Sequence, residues 1–517
     1  MLTTGATGVR LLSRRTATEN SQNRLLRSLV TQSAAARPAR EASATNQGGG
    51  APIAMDRLTG QDLYELLDER PNQPRHTLKV LELQREVGIP DLTLEGLRDH
   101  VARKLPGLPR FRQQVARAPR PLFSAVWFDA GPPDLAELVH QVDVPPAEGR
   151  AGLRRLLERL AAEPLDRDRP LWGLWLVNGA EPDRQVLILK VHHCLAGGSA
   201  LRRILEHLFA PDPPQEWETS EAGSRRALVS EPATRPGRWA LTAMALRHVA
   251  GLPVRGVRVW RPTVAGLAAV GRLRRQGISE APAMAAPAMP WNGALGPSRE
   301  VGFLRLPLDQ VRSVAASADC SVTDVLLATT AGALRRYLLA RQSLPTVPLT
   351  AAVPMERKPD ATELGGNTGT SFGLYLATDV ADGSERLRVA RDHARSAARA
   401  HRAAPTAAWM GFHEAYPLFD LSQSLLLAFA RRRGRDLFSV IVSSVRGPGV
   451  LLGIAGHQFD CIYSVGPLAA GIGLNVTAWG YGEWLTLGVV STPELLDSLD
   501  DLMACFGQEA AALPGSP

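Results

Sequence analysis

The sequence has few of the residues that build metal centres, disulfide frameworks or transmembrane helices. Its four cysteines, Cys194, Cys320, Cys461 and Cys505, are scattered over 517 residues, with no CxxC pair and no metal-ligand spacing. We therefore expect free thiols in a reducing compartment. The longest uncharged run, 461–482, contains five glycines and a proline. This composition favours a strand, a turn and a second strand over a membrane-spanning helix.

Lysine is also scarce, and the positive charge is not concentrated on folded sequence. Lys79, Lys104, Lys190 and Lys358 are the only lysines among 59 cationic residues. The net charge is +8, of which residues 1–54 contribute +5 through seven arginines and two glutamates. Only +3 remains for the rest of the chain, so we expect no nucleic-acid partner.

Length and patterning predict two domains of mixed α/β class. A chain of 517 residues exceeds the size of one typical hydrophobic core, and 45% apolar residues is typical of globular proteins. Helical and strand patterns alternate over residues 55–210 and again over residues 291–517. This order predicts an N-terminal and a C-terminal domain, each with α+β layers.

Two segments lack this alternation. Residues 1–54 are rich in Arg, Ser and Ala and poor in acids, a composition typical of an organelle leader or of a disordered extension. We favour the disordered basic extension, because a folding pattern starts abruptly at Met55. Residues 211–290 form a connector rich in Ala, Pro and Arg that also contains Trp239 and Trp260. This mixture is consistent with either a helix on an anionic membrane surface or a bridging helix with a solvated basic face.

The strongest candidate for chemistry is a pair of histidines. The mostly apolar run 185–191 predicts a buried strand, which is followed by His192, His193 and the sequence Cys-Leu-Ala-Gly-Gly. Adjacent residues on a strand point to opposite faces, so the two histidines cannot have the same role. Imidazole titrates near neutral pH and can take up and return a proton. The pattern predicts one general base and one structural histidine, with Cys194 as a small buried residue.

The segment HHCLAGG at 192–198 resembles the HHxxxDG signature of the CoA-dependent acyltransferase superfamily, with Gly197 in place of the aspartate. Further segments resemble, in order, those of the wax ester synthase/diacylglycerol acyltransferase family. They are MDRLT at 55–59, PLDRDRPLW at 164–172, NGALGP at 292–297, VTDVLLA at 322–328, GN at 366–367 and SSVRGP at 443–448. The resemblance covers nearly all of the chain beyond residue 54.

This resemblance implies two chloramphenicol-acetyltransferase-like domains that form a substrate channel at their interface. It implies an O-acyltransferase that moves a fatty acyl group from acyl-CoA to a long-chain alcohol or diacylglycerol, giving wax ester or triacylglycerol. His193 would be the base, and His192 its structural partner. Acyl-CoA is then a substrate, and no metal or other cofactor is implied. Together with the basic connector, the resemblance predicts a cytoplasmic protein that is peripheral to a membrane or to lipid inclusions.

The chain departs from the family pattern at polar positions. Gly197 replaces the aspartate of the signature, Gly173 a glutamate after PLW, and Thr323 an asparagine. In the superfamily the aspartate holds the loop of the motif, so its loss affects the position of His193 more than proton transfer. One alternative is therefore a lipid- or acyl-CoA-binding relative with weakened or lost turnover. A peptide-synthetase condensation-type domain is a third alternative, which we favour least.

Overall fold

A computed structural model describes residues 55–513, except for 59, 120–121, 123, 212–233, 283–284, 357–368, 405–424, 426–427, 430–431 and 434. The predicted extension 1–54 and the GN turn at 366–367 lie outside the described residues, as does part of the predicted connector.

The strands are numbered β1 to β17 in chain order. They are β1 Met55–Arg57, β2 His76–Gln84, β3 Gln113–Arg117, β4 Ala125–Asp129, β5 Val139–Asp143, β6 Trp172–Glu181, β7 Arg184–His192, β8 Ala286–Pro287, β9 Glu300–Pro307, β10 Thr350–Glu356, β11 Gly369–Tyr375, β12 Arg435–Asp436, β13 Val440–Arg446, β14 Gly453–Ile454, β15 His457–Val465, β16 Leu474–Tyr481 and β17 Trp484–Ser491. The α-helices are α1 Gly60–Asp68, α2 Leu94–Lys104, α3 Pro109–Arg112, α4 Gly149–Ala162, α5 Gly198–Phe209, α6 Arg238–Arg275, α7 Leu308–Ser317, α8 Val322–Ala340, α9 Gly383–Ala403 and α10 Leu499–Ala511.

Two six-stranded sheets organise the fold. The first has the order β14-β15-β2-β7-β6-β5, and the second has the order β11-β10-β13-β16-β17-β9. Strand β15 comes from the C-terminal half of the chain but pairs antiparallel with β2. A single boundary near residue 291 therefore does not separate the two sheets. Strand β15 from the C-terminal half thus pairs with β2, and β2 pairs with β7. The histidine motif lies at the end of β7.

Apolar faces of the strands and helices form a hydrophobic core around each of the two sheets. Around the first sheet, Leu187, Leu189 and Val191 of β7 pack in one cluster with Leu201 and Leu205 of α5. In the second part, α8 is buried along most of its length. Its Ser321–Asp324 capping box satisfies backbone donors at the first turn.

The buried strand predicted over 185–191 is present within β7, Arg184–His192. The strand–turn–strand expected within 461–482 is present as β15 and β16. Just beyond the predicted connector 211–290, Trp291 is buried, and its Nε1 donates to the carbonyl oxygen of Ser439 at 2.7 Å. The connector contains a 38-residue helix, α6. Among the described helices, none has the length and apolarity needed to cross a membrane.

Candidate active site

The histidine motif forms a turn between β7 and α5 that backbone hydrogen bonds define. The N–H of His192 donates to Leu171 O at 3.0 Å, and the N–H of His193 donates to Arg75 O at 2.7 Å. The N–H of Leu195 closes the turn on His192 O at 2.9 Å. Cys194, like Leu195, is completely buried. These contacts attach the turn to the β2 entry and to the PLDRDRPLW segment.

One hydrogen bond sets the orientation of the His193 ring. Its Nδ1 lies 3.2 Å from the carbonyl oxygen of Ala196. Because a carbonyl only accepts hydrogen bonds, we assign the proton to Nδ1, which leaves a lone pair on Nε2. His193 as a residue is only partly buried, whereas His192 is fully buried. Of the two histidines, His193 therefore has the nitrogen available for a proton from substrate.

The surroundings of His193 keep its ring neutral near neutral pH. Burial lowers the pKa of His193, the carboxylate of Glu65 raises it, and the positive charges of Arg75 and Lys79 lower it again. The net effect is a pKa below the usual histidine value of about 6.5. A general base must be unprotonated before it acts, so this shift favours the active form.

Both nitrogens of His192 face protein groups. Its Nδ1 accepts the N–H of Cys194 at 3.1 Å, and its Nε2 lies 3.5 Å from Oε1 of Glu69. This arrangement leaves no nitrogen of His192 for a substrate. For Cys194, burial and the charges of nearby acids raise the pKa well above its usual value, which disfavours a thiolate nucleophile.

A buried ion-pair network lies behind the histidines, and sequence reasoning missed it. The Arg75 Nε donates to Glu65 Oε2 at 2.8 Å, and both side chains are buried. Arg167 donates from Nε at 3.0 Å and from Nη2 at 2.6 Å to Oε2 of Glu69. Burial raises the pKa of Glu65, but Arg75 outweighs this effect and the net shift is downward. The pKa of Glu69 is also lowered, mainly by hydrogen bonds and charges of His192 and Arg167 acting against burial.

This network gives a physical role to the PLDRDRPLW segment. Arg167 belongs to that segment and holds Glu69, which in turn lies beside His192. Trp172 at its end donates from Nε1 to the carbonyl oxygen of Phe111 at 2.8 Å. The available sequence signal was the set of acids on and after α1, Asp62, Glu65 and Glu69, which share a helix face. From sequence alone such a face is indistinguishable from a solvated one.

Gly197 is the N-cap residue of α5, with φ −80° and ψ −176°. Any residue adopts this extended conformation, so the turn does not require glycine. No side-chain cap bond is present, and Gly197 O accepts the N–H of Leu201 at 2.9 Å. The turn thus keeps a defined shape without an aspartate, through the backbone bonds to Arg75 and Leu171.

Lys79 on β2 is an unusual buried cation beside this site. Its Nζ donates to Thr77 Oγ1 at 3.2 Å and to Ser464 Oγ at 2.5 Å, and it lies 4.5 Å from the ring centroid of Trp479. Burial lowers the pKa of Lys79 to about 7. Lys79 and Ser464 belong to the first sheet and Trp479 to the second, so this contact joins the sheets near His193.

One group of metal-type ligands is present among the described residues, at a different place. Ligand atoms of Glu82, Asp460 and Cys461 lie within 4.8 Å of one another. Arg184 donates from Nη1 to Glu82 at 3.0 Å and to Asp460 at 2.6 Å. The guanidinium of Arg184 already compensates both carboxylates, so their proximity does not require a metal ion.

Two cavities formed by described residues are not lined by His192 or His193. One of about 860 Å³ is lined by Tyr375, His393 and Phe429 among others. Another of about 450 Å³ is lined by Arg112 and Asp168 among others. The predicted channel to His193 stays a prediction.

Two domain models of one protein family match the sequence. The wax ester synthase/diacylglycerol acyltransferase catalytic domain matches residues 58–326, and the C-terminal domain of the same family matches residues 365–513. The chain belongs to the wax ester synthase/diacylglycerol acyltransferase family. This membership makes the chain an acyltransferase, and the resemblance inferred from the motifs is confirmed.

Relatives of this acyltransferase extend over most of its length. A Mycobacterium tuberculosis protein named as a diacylglycerol O-acyltransferase is 31% identical over 458 residues, or 86% of this chain and 88% of the relative. A Mycobacterium bovis protein with the same designation is 31% identical over 478 residues, or 89% of this chain and 92% of the relative.

Solved structures confirm the predicted fold class. The wax ester synthase/diacylglycerol acyltransferase from Marinobacter aquaeolei VT8 has a TM-score of 0.61 at 23% identity, and the match covers 88% of this chain and 98% of that one. The first condensation domain of the calcium-dependent antibiotic synthetase has a TM-score of 0.56 at 16% identity, over 90% and 97% of the two chains. At these identities the likeness shows the chloramphenicol-acetyltransferase-like fold alone.

We expect Arg167→Ala to lower the free energy of unfolding by about 3 kcal/mol, because it leaves the buried Glu69 carboxylate without its main partner. The matched control is Arg169→Ala in the same segment. Arg169 makes exposed pairs with Glu137 and Asp166, so its loss is expected to cost less than about 1 kcal/mol. Urea unfolding measures both changes, and equal losses would contradict the role given to Arg167.

Proposed function

We propose that this protein transfers a fatty acyl group from acyl-CoA to the hydroxyl group of a long-chain alcohol or diacylglycerol, producing wax ester or triacylglycerol and free CoA. The observation that carries this proposal is the orientation of the His193 ring: Nδ1 lies 3.2 Å from the carbonyl oxygen of Ala196, which leaves the lone pair on Nε2, and the residue is only partly buried. The lowered pKa of His193 supports a neutral ring near neutral pH. Family membership supports the reaction class.

The reaction needs one base and no covalent enzyme intermediate. Nε2 of His193 takes the proton of the alcohol while the alcohol oxygen attacks the thioester carbonyl carbon. The carbonyl bond re-forms as the carbon–sulfur bond breaks, and the CoA thiolate leaves. The imidazolium then returns the proton to that thiolate. His192 and the Glu69–Arg167 pair keep the turn in place during the cycle.

The partners we propose are acyl-CoA, the acceptor alcohol and a lipid surface. Both the acceptor and the ester product partition into lipid, since each buried methylene contributes about 0.8 kcal/mol. A cytoplasmic location at the periphery of a membrane or lipid inclusion would give access to both. No metal or other cofactor takes part in the steps proposed.

We expect His193→Ala to lower kcat/KM by roughly 10²–10⁴-fold, the usual contribution of a positioned general base. The assay follows CoA thiol release and ester formation from a long-chain acyl-CoA and a panel of acceptors. His140→Ala is the matched control, since His140 lies on β5 at the edge of the same sheet. Unchanged turnover in a folded His193→Ala variant would exclude this residue as the base.

The pH dependence follows from the neutral form being active. As pH falls through the lowered pKa of His193, the ring gains a proton and kcat/KM decreases about tenfold per pH unit. We expect a plateau near neutrality and an acid limb below about pH 6.5. Lys79→Met removes a positive charge that lowers the His193 pKa, so it shifts the acid limb to higher pH, whereas Lys79→Arg does not. A limb that Lys79→Met leaves in place would show that this charge does not act on the base.

Gly197 is the observation that favours the second candidate, a lipid- or acyl-CoA-binding relative with weakened turnover. Because backbone hydrogen bonds hold the turn, we expect Gly197→Asp to change kcat/KM by less than about tenfold, or ~1.4 kcal/mol in the barrier. Steady-state kinetics of both proteins measure this. Acyl-CoA binding without turnover in the native protein, with turnover restored by Gly197→Asp, would favour the second candidate.

A further inference from the structure

Helix α6 packs against the protein along one side only. Leu241 and Ala245 are buried, and Leu241 belongs to a cluster with Val126 and Phe128 of β4. His248, one turn further along, lies 2.9 Å from the Arg57 guanidinium through its Nε2. At 3.6 residues per turn these three positions lie within an arc of about 60°. This side attaches the helix to the small sheet β1-β4-β3, and α6 also contacts α9.

The opposite side of α6 exposes large apolar side chains. They are Trp239, Leu246, Val249, Val254, Val257, Trp260, Val264 and Leu267, each between 45% and 77% exposed. On an ideal helix all eight fall within an arc of about 140°, centred roughly opposite the packed side. Single exposed apolar residues are ordinary, but eight on one stripe of a described helix mark an interaction surface. We call these eight residues the apolar stripe.

The charge of α6 is of one sign. Its 38 residues include eight arginines and no Asp or Glu. Arg247, Arg261 and Arg272 are exposed, and on an ideal helix they lie along one edge of the apolar stripe, within about 100° of its centre. An apolar stripe bordered by arginines matches a surface with anionic headgroups above acyl chains. A bridging helix that faces only water does not require exposed apolar side chains. Binding to a protein partner does not require a helix that lacks Asp and Glu.

We propose that α6 binds the surface of an anionic lipid layer, with the apolar stripe inserted at the headgroup boundary and the arginines at the headgroups. Pro253 and Pro262 lie inside the helix and are compatible with this, because a bend lets a long helix follow a surface. The inference rests on the proposed function in one respect: this lipid layer is the lipid partner proposed for the acyltransferase. Binding to the layer does not require catalysis.

The test is flotation of the full chain with vesicles of phosphatidylcholine, with and without phosphatidylglycerol. We expect strong binding only to the anionic vesicles, weakened by added salt. The variant Leu246→Gln, Val257→Gln, Trp260→Gln and Leu267→Gln should reduce the partition coefficient by more than about tenfold, since it removes apolar groups from the lipid. The variant Arg247→Gln, Arg261→Gln and Arg272→Gln should reduce the preference for anionic vesicles.

A matched control carries four substitutions at exposed apolar residues outside α6. They are Val87→Gln, Leu339→Gln, Val450→Gln and Leu451→Gln. This control should bind vesicles like the native chain. Absence of vesicle binding by the native chain, or equal binding by the apolar-stripe variant, overturns the proposal. So does a native oligomer in sedimentation velocity that the apolar-stripe variant converts to a monomer, since a second copy would then cover the stripe.

A second assay separates this inference from the proposed function. Octanoyl transfer from octanoyl-CoA to hexanol in vesicle-free buffer does not need a lipid surface. We expect the apolar-stripe variant to retain this transfer while losing vesicle binding. Vesicle binding without transfer in the native chain would overturn the acyltransferase proposal and leave the lipid-binding surface in place.

Discussion

The position of His193 depends on a set of charges buried behind it. Glu65 and Arg75, and then Glu69 and Arg167, form two ion pairs that connect α1, the entry to β2 and the PLDRDRPLW segment. In a poorly solvated environment an ion pair is strong only while both partners remain, and removal of one leaves an uncompensated charge. The backbone of Arg75 also accepts the N–H of His193. The network therefore acts both on the turn and on the electrostatic surroundings of His193.

The shape of the motif turn does not depend on a side chain at position 197. The turn of 192–198 is tied to Leu171, to Arg75 and to itself by main-chain hydrogen bonds, which do not depend on side-chain identity at position 197. Three buried residues in succession, Cys194 to Ala196, add apolar packing. Backbone hydrogen bonds and the neighbouring ion pairs thus hold the loop without an aspartate at position 197.

The exchange of β15 into the first sheet joins the two halves of the chain at the site. Ser464 of β15 and Thr77 of β2 both accept from Lys79, and the ammonium of Lys79 lies over Trp479 of the second sheet. Changes in the C-terminal half can therefore act on the charge beside His193. A division of the chain into two independent domains would not show this coupling.

The sequence by itself predicted the α/β class, the buried strand that ends at the histidine motif, the family and the different surroundings of His192 and His193. These features depend on local periodicity and on contiguous motifs, which neighbouring residues in the chain encode. Only the tertiary structure decided that Glu65, Arg75 and Lys79 lie near His193 and that Glu69 lies beside His192, because these residues stand more than 110 positions before the histidines in the chain. It also decided which side of α6 is exposed, since a helix with apolar residues all round gives no sign of the side on which it packs. Which side of a helix is buried depends on contacts with distant segments, so the sequence of the helix alone does not specify it.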